Sequence, residues 1–346
     1  MNERLAVIFP RLGPYHIARL GAAARSLDVT AIELSATDEL HDWDPHENPL
    51  PFKRRTLFAS TEPVSEARQQ LAVCRALEAS RPSAVAINGW AEPTSLMAME
   101  WCMTRNVPMI VMSESSAYDA SRTWWKEWVK RRIVKRFSAA LVGGRDHAAY
   151  LESLGMDADR IAMGYDVVDN AYFARAAETA RQNAAVQRQE MGLPEKYFLA
   201  VARFVPRKNL DMLMRAYAEV RRRTGTDWHL QIVGDGPQEA ELLRLREVLG
   251  LQRFVHFLGF QQYDRLPTLY ALSQALVHPS TSEQWGLVVN EAMACGLPVV
   301  VSNRCGCVRE LVHEGRNGAT FDPQNLQALT MRLQECVERE SELSLR

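Results

Sequence analysis

Glu283 and Glu291 flank the short segment Gly286-Leu287-Val288, and the residues around them suit a ligand-binding switch point. The apolar run Ala275-Leu276-Val277, ending at His278-Pro279-Ser280, reads as a buried parallel strand. A polar loop follows, and Leu287 to Cys295 reads as a helix stopped by Gly296, with Pro298 two residues on. Pro298 to Ser302 completes a β-loop-α-β unit. Ligands of open α/β sheets sit outside the carboxyl ends of the strands, against helix N-termini. Glu283 falls in such a loop and Glu291 about one turn into the helix, so both carboxylates can face one crevice. The amides of Gly286, Leu287 and Val288 would point there too, ready for an anion.

A second anion site is legible upstream. Phe198 to Ala202 is a strand, Arg203 ends it, and Lys208 immediately precedes a helix from Asn209 to Arg223. Two cations in a strand-loop-helix turn suit a diphosphate. Leu230 to Val233 is the next strand, closed by the turn Gly234-Asp235-Gly236-Pro237. In the amino-terminal half, Leu5–Phe9 is a strand whose loop carries Gly13, where backbone could approach a ligand closely. His16 follows, either as a ligand or acid/base group or as a cap on the next helix. Polar residues crowd the end of the strand Val107–Met112, from Ser113 and Glu114 through Ser115 to Asp119.

The elements that must position these residues fit a chain of 346 residues in two domains, 1–175 and 176–346, each with its own core. Residues 35–60, with Trp43, Phe52 and Phe58, read as an extended loop, and 174–190 as a polar, alanine-rich connection. Net charge is −1, so no overall field recruits nucleic acid. The six cysteines include one close-set pair, Cys305 and Cys307, and no second pair completes a zinc site. Free thiols and the lack of a signal-peptide pattern in residues 1–9 are expected of a cytoplasmic or cytoplasm-facing protein. Residues 121–137 place Trp125, Val129 and Ile133 at helical spacing among seven basic side chains. This fits an interfacial helix on the inner face of a membrane, meeting anionic lipid or a phosphorylated lipid acceptor. It also fits a domain helix with an apolar face in the core, which the strand at Ala139–Val142 favours.

Glu283 and Glu291 with Gly286 between them, followed by Glu291-Ala292-Met293-Ala294-Cys295-Gly296-Leu297-Pro298, resemble the signature of the family 4 retaining glycosyltransferases (glycosyl transferases group 1). The resemblance is specific over about 195–323 and topological before that. It implies α/β architecture of GT-B type: two Rossmann-like doubly wound domains facing each other across a cleft. It implies transfer of a sugar from a nucleotide diphosphate-sugar, with UDP as the expected carrier, to an acceptor hydroxyl with retention. The expected acceptor is a lipid-linked or growing polysaccharide glycan. Arg203 and Lys208 would hold the diphosphate, Glu291 the ribose, and Glu283 the donor sugar. The loop with Gly234 and Gly236 would lie beneath the nucleotide, and backbone near Phe260 would read the base. No cofactor or catalytic metal is implied. Many members have an amino-domain histidine on the donor sugar, yet this chain has none between His46 and His147. Glu114 is the first choice to replace it, with Ser115 or Asp119 as alternatives. Asp166-Val167 also depart from the family's Asn-Gly before Val168-Asp169. Two rival functions share the fold: a sugar-nucleotide epimerase or hydrolase using a carboxylate pair such as Glu114 and Asp119, and a non-catalytic sugar-nucleotide-binding subunit.

Overall fold

The computed structural model describes residues 3–35, 49–59, 64–119 and 122–344. It divides into two compact units, Met1–Asp169 and Asn170–Arg346. The first is built on β1 (Arg4–Phe9), β2 (Asp28–Ser35), β3 (Lys53–Phe58), β4 (Ala84–Asn88), β5 (Met109–Ser113), β6 (Ala139–Val142) and β7 (Ile161–Met163), in the order β3-β2-β1-β4-β5-β6-β7. Every pairing is parallel. The second holds β8 (Tyr197–Val201), β9 (His229–Val233), β10 (Val255–Phe257), β11 (Ala275–His278), β12 (Val299–Ser302) and β13 (Gly318–Phe321), ordered β10-β9-β8-β11-β12-β13 and again parallel.

Parallel strands need crossover helices, which cover both faces of the sheet, so the central strands read as unbroken apolar runs. β11 and β12 are buried at every position. The second core gathers Phe198, Leu230 and Val277 from the sheet with Leu213, Tyr217 and Val220 of the helix Leu210–Thr224. Leu329, Leu333 and Val337 of the last helix, Leu326–Ser344, close it. Each such aliphatic side chain contributes about 1.5–3 kcal/mol of burial. Strand order reverses between β1 and β4 in one unit and between β8 and β11 in the other. Those two switch points are where loops part and leave room for a ligand.

Three expectations are corrected. Residues 53–58 are an edge strand, paired with β2, where an extended loop was expected. β3 is largely exposed, so it lacks the apolar pattern of its neighbours, and its Lys53, Arg54 and Arg55 blunt the sheet edge. Trp43 lies outside the described residues. Residues 174–190 form helices, Asn170–Gln182 and Ala184–Met191, and the unit boundary falls at Asp169. The first buries Phe173 and two alanines, Ala177 and Ala180, and the second buries none, so the stretch reads as a polar connection. The helix Trp124–Val134 buries Val134 but leaves Trp125 and Val129 exposed, so of that apolar stripe only Ile133 packs against the core. Among the described residues no helix is long and apolar enough to cross a membrane.

Candidate functional site

The second unit's switch point brings two of the predicted charges, Lys208 and Glu283, together. The loop after β8 turns through a short 3-10 segment, Pro206–Lys208, into Asn209. Asn209 takes left-handed backbone (φ 56°), which its short polar side chain tolerates. Its Nδ2 donates to the carbonyls of Pro279 (3.2 Å) and Pro323 (2.9 Å), tying this loop to the one after β11. Thr281 N–H adds a bond to the Arg207 carbonyl at 2.8 Å. Between these ties Lys208 Nζ meets Glu283 Oε2 in an ion pair whose side chains are 13% and 12% exposed. Ser280 Oγ donates to the same oxygen at 3.3 Å, and His278 Nε2 lies 3.4 Å from it. All of these act on Oε2.

Burial would raise the Glu283 carboxyl, but the hydrogen bond from His278 and the charge of Lys208 outweigh it and hold Glu283 well below the usual carboxylate range. Burial dominates at His278, pushes its pKa down against the pull of Glu283, and leaves a neutral imidazole at pH 7. The site therefore holds one fixed anion and one fixed cation. Gly286 caps the helix Leu287–Ala294. A Cβ at Gly286 would lie 3.5 Å from His278 Nε2 and 3.6 Å from Glu283 Cγ. The helix start thus sits directly against the ion pair, with the amides of Leu287 and Val288 in its first turn.

Two clamps position this group. The turn at Arg304–Cys307 bonds the backbone of the Glu283 loop: Gly306 N–H to the Glu283 carbonyl (3.1 Å) and Cys307 N–H to that of Trp285 (3.2 Å). Cys305 and Cys307 are buried there, and burial pushes the Cys305 thiol well up. On the other side Phe204 N–H donates to Asp235 at 2.6 Å and Gln238 N–H to Phe204 at 3.0 Å. Gly234 and Gly236 make this closure possible. Both have positive φ, a Cβ on Gly234 would overlap the Ala202 carbonyl, and one on Gly236 would meet Phe204 backbone at 2.7 Å. Their glycine requirement thus comes from seating the Arg203 loop. Arg203 is itself exposed, and Phe260 is half-buried just beyond Gly259, whose carbonyl accepts from Gly234 N–H.

Glu291 is the more enclosed of the two carboxylates. It is fully buried, and the Tyr270 hydroxyl donates to its Oε2 at 2.6 Å. Glu283, by contrast, is 12% exposed. Burial of the whole helix face, with Val289 and Ala292 beside Glu291, is the reason.

The remaining candidates belong to the first unit. Gly13 has extended backbone and is the N-cap of the helix Pro14–Ala23. Gly13 N–H donates to His16 Nδ1 at 3.0 Å, so His16 caps the helix, and its ring packs on Phe9 at 4.3 Å. That bond leaves the Nδ1 position unprotonated and any proton at Nε2. Glu114 follows β5 and shares a hydrogen bond with Asp166, a residue 2% exposed just past β7. Burial, then the Glu114 charge, raises the Asp166 carboxyl to about 8 against the pull of Arg19, so Asp166 is protonated at neutral pH. Arg19 also fixes this corner, with its Nη1 on the Tyr165 carbonyl at 2.6 Å and its guanidinium 4.2 Å over the Tyr165 ring. Asp119 is paired with Arg122 and accepts from Ser116 N–H, so the acidic partner of Glu114 is Asp166 instead.

Sequence reading missed Glu33, Asn209, His278 and Asp166. Glu33 is fully buried at the end of β2, accepting from Leu12 N–H, Arg54 and Thr56 to hold the loop after β1. A lone polar residue ending an apolar strand was the available signal for Glu33 and for His278.

The family model described as "Glycosyl transferases group 1" matches residues 183–346, and "Glycosyl transferase 4-like domain" matches 15–164. A GDP-mannose-dependent alpha-(1-6)-phosphatidylinositol monomannoside mannosyltransferase of Mycolicibacterium smegmatis is 34% identical over 59% of this chain and 50% of its own length. An alpha-D-kanosaminyltransferase of Streptomyces kanamyceticus is 29% identical over 67% and 61%. The chain therefore spans about half the length of the curated relatives it matches. Anabaena HepE, crystallised with UDP and glucose, superposes with a TM-score of 0.74 over 99% of this chain and 91% of its own, at 19% identity. Sucrose-phosphate synthase of Thermosynechococcus elongatus gives 0.73 over 97% and 90%, at 21% identity. With one model on each unit and these two-sheet neighbours, the chain belongs to the group 1, family 4-type glycosyltransferases and has their GT-B fold.

Proposed function

We propose that this chain transfers a sugar from a nucleotide diphosphate-sugar to an acceptor hydroxyl, with retention at the anomeric carbon. The observation that carries this reading is the Lys208–Glu283 ion pair set against the start of the helix Leu287–Ala294 at a switch point. An ammonium has three donors. Lys208 can keep one on Glu283 and turn another to the diphosphate, while Arg203 reaches it from the loop. As the bond from the anomeric carbon to the diphosphate breaks, its electron pair stays on phosphate oxygen. Arg203, Lys208 and the first amides of the helix oppose that charge, so we take the reaction to need no metal. The acceptor oxygen bonds the same face of the carbon, and its proton leaves with the phosphate. Glu283 Oε1 would accept from the donor sugar's hydroxyls. Glu291, whose Oε2 accepts from the Tyr270 hydroxyl, would take the ribose, as the family resemblance implies.

The expected donor is a UDP-sugar. HepE binds UDP, whereas the mycobacterial relative is GDP-mannose-dependent, so both bases belong in any trial. The acceptor we propose is a lipid-linked or growing polysaccharide glycan. The Glu114–Asp166 pair favours a second reading, a hydrolase or epimerase, because two carboxyls sharing a proton can act as acid and base. Incubating the enzyme with each donor, with and without candidate acceptors, separates them. Transfer gives nucleotide release stimulated by acceptor and a product of unchanged anomeric configuration by NMR. Release at full rate without acceptor, or interconversion of the donor sugar, supports the second reading instead.

A further inference from the structure

The helix Trp124–Val134 presents an unusual face. Trp124, Trp125, Trp128 and Val129 are 83%, 52%, 51% and 40% exposed. Among the described residues no other stretch of six holds more than two exposed large apolar side chains. At about 100° per residue, these four fall within one arc of roughly 160° together with Arg131, Arg132 and Lys135. The arc contains no acid. The helix's one carboxylate, Glu127, is turned inward, where Lys130 (2.9 Å) and the Tyr150 hydroxyl (2.9 Å) engage it. The outward basic groups lie over the rings: Arg132 is 3.8 Å from the Trp128 centroid and Lys126 5.5 Å from that of Trp125. Tyr118, 81% exposed, precedes the helix in a turn that Arg122 ties back through Asp119.

Exposed tryptophans cost solvation free energy in water, and uncompensated arginines beside them select an anionic neighbour. A bilayer interface satisfies both, since indole rings settle at the headgroup level and basic side chains meet lipid phosphates. We propose that this face docks the protein on an anionic phospholipid surface. The helix lies in the interface plane, its tryptophans entering the headgroup layer and Arg131, Arg132 and Lys135 meeting the phosphates. A second copy of the chain is a poorer occupant, because an isologous contact would set these cations against their own equivalents.

The test is co-sedimentation of the full chain with phosphatidylcholine vesicles, pure or containing phosphatidylglycerol, with tryptophan quenching by brominated acyl chains as the second readout. Binding is expected only to the anionic vesicles, weakening as salt rises. Trp124→Ser/Trp128→Ser should lower the affinity roughly tenfold or more and reduce the quenching. Arg131→Ala/Arg132→Ala should lower it by a similar factor and flatten the salt dependence. Melting temperature and nucleotide release should be unchanged in both variants, which separates a failure of docking from a failure of transfer. No preference for anionic vesicles, or binding untouched by the substitutions, overturns the proposal. A dimer in light scattering that the tryptophan variant dissolves overturns it in favour of a second copy.

Discussion

Lys208 carries two loads. It neutralises Glu283, whose side chain is only 12% exposed, and in the proposed reaction it supplies a donor for the diphosphate. Lys208→Ala leaves a nearly buried carboxylate without its cation, which costs roughly 3 kcal/mol of stability and about 10²–10³-fold in turnover. Chemical denaturation and initial rates on one preparation measure both. Because the folded Glu283 carboxyl is depressed, its contribution to stability is present above the usual carboxylate range and is lost as pH falls through its folded value. Lys208→Ala should reduce that contribution and shrink the acid-side slope. Asp166 has the opposite sign. Its folded value is raised to about 8, so its contribution is full below its ordinary value of 3.8 and is lost as pH rises through 8. Asp166→Asn should then gain stability over wild type at pH 9 by upwards of about 1.4 kcal/mol more than it does at pH 5. Equal effects at the two values would show that Asp166 is ionised throughout.

At the scale of elements, the switch-point loops are precise because neighbouring loops fill them. Gly234 illustrates this: its missing Cβ is the space occupied by the Ala202 carbonyl. Gly234→Ala should cost roughly 2–4 kcal/mol and lower turnover by displacing Arg203, seen as a drop in melting temperature together with a fall in rate. A stable, fully active variant would mean that the loop seats without the glycine. Central strands were legible because parallel strands buried on both faces are continuous apolar runs, as Ala275-Leu276-Val277 is. The helix after Gly286 was legible from its stop at Gly296. β3 was not, since an edge strand of Lys53, Arg54 and Arg55 lacks that run and owes its position to Glu33. The helices over 170–191 were hidden because the first buries only Phe173 and two alanines and the second buries none. Within the site, charges near strand ends could be found by spacing. The partners Asn209, His278 and Asp166 could not, because they act across loops far apart in sequence.

For the whole molecule, each unit has its own doubly wound sheet and its own switch point, and the charges proposed to bind the donor lie in the second. Arg203, Lys208, Glu283 and the start of the helix Leu287–Ala294 all come from residues 170–346, the part matched by the group 1 model. The first unit contributes a different chemistry, with His16 committed to a helix cap and Glu114 sharing a proton with Asp166. The central claim is that the second unit binds and activates a nucleotide diphosphate-sugar through Glu283 and Lys208. Its most direct test is nucleotide diphosphate release from a panel of UDP- and GDP-sugars by wild type and by Glu283→Ala. Release from one donor, stimulated by an acceptor and lowered at least about 10²-fold in the variant, is the predicted result. Equal release by both proteins, or no binding of any donor by the wild type, would contradict it.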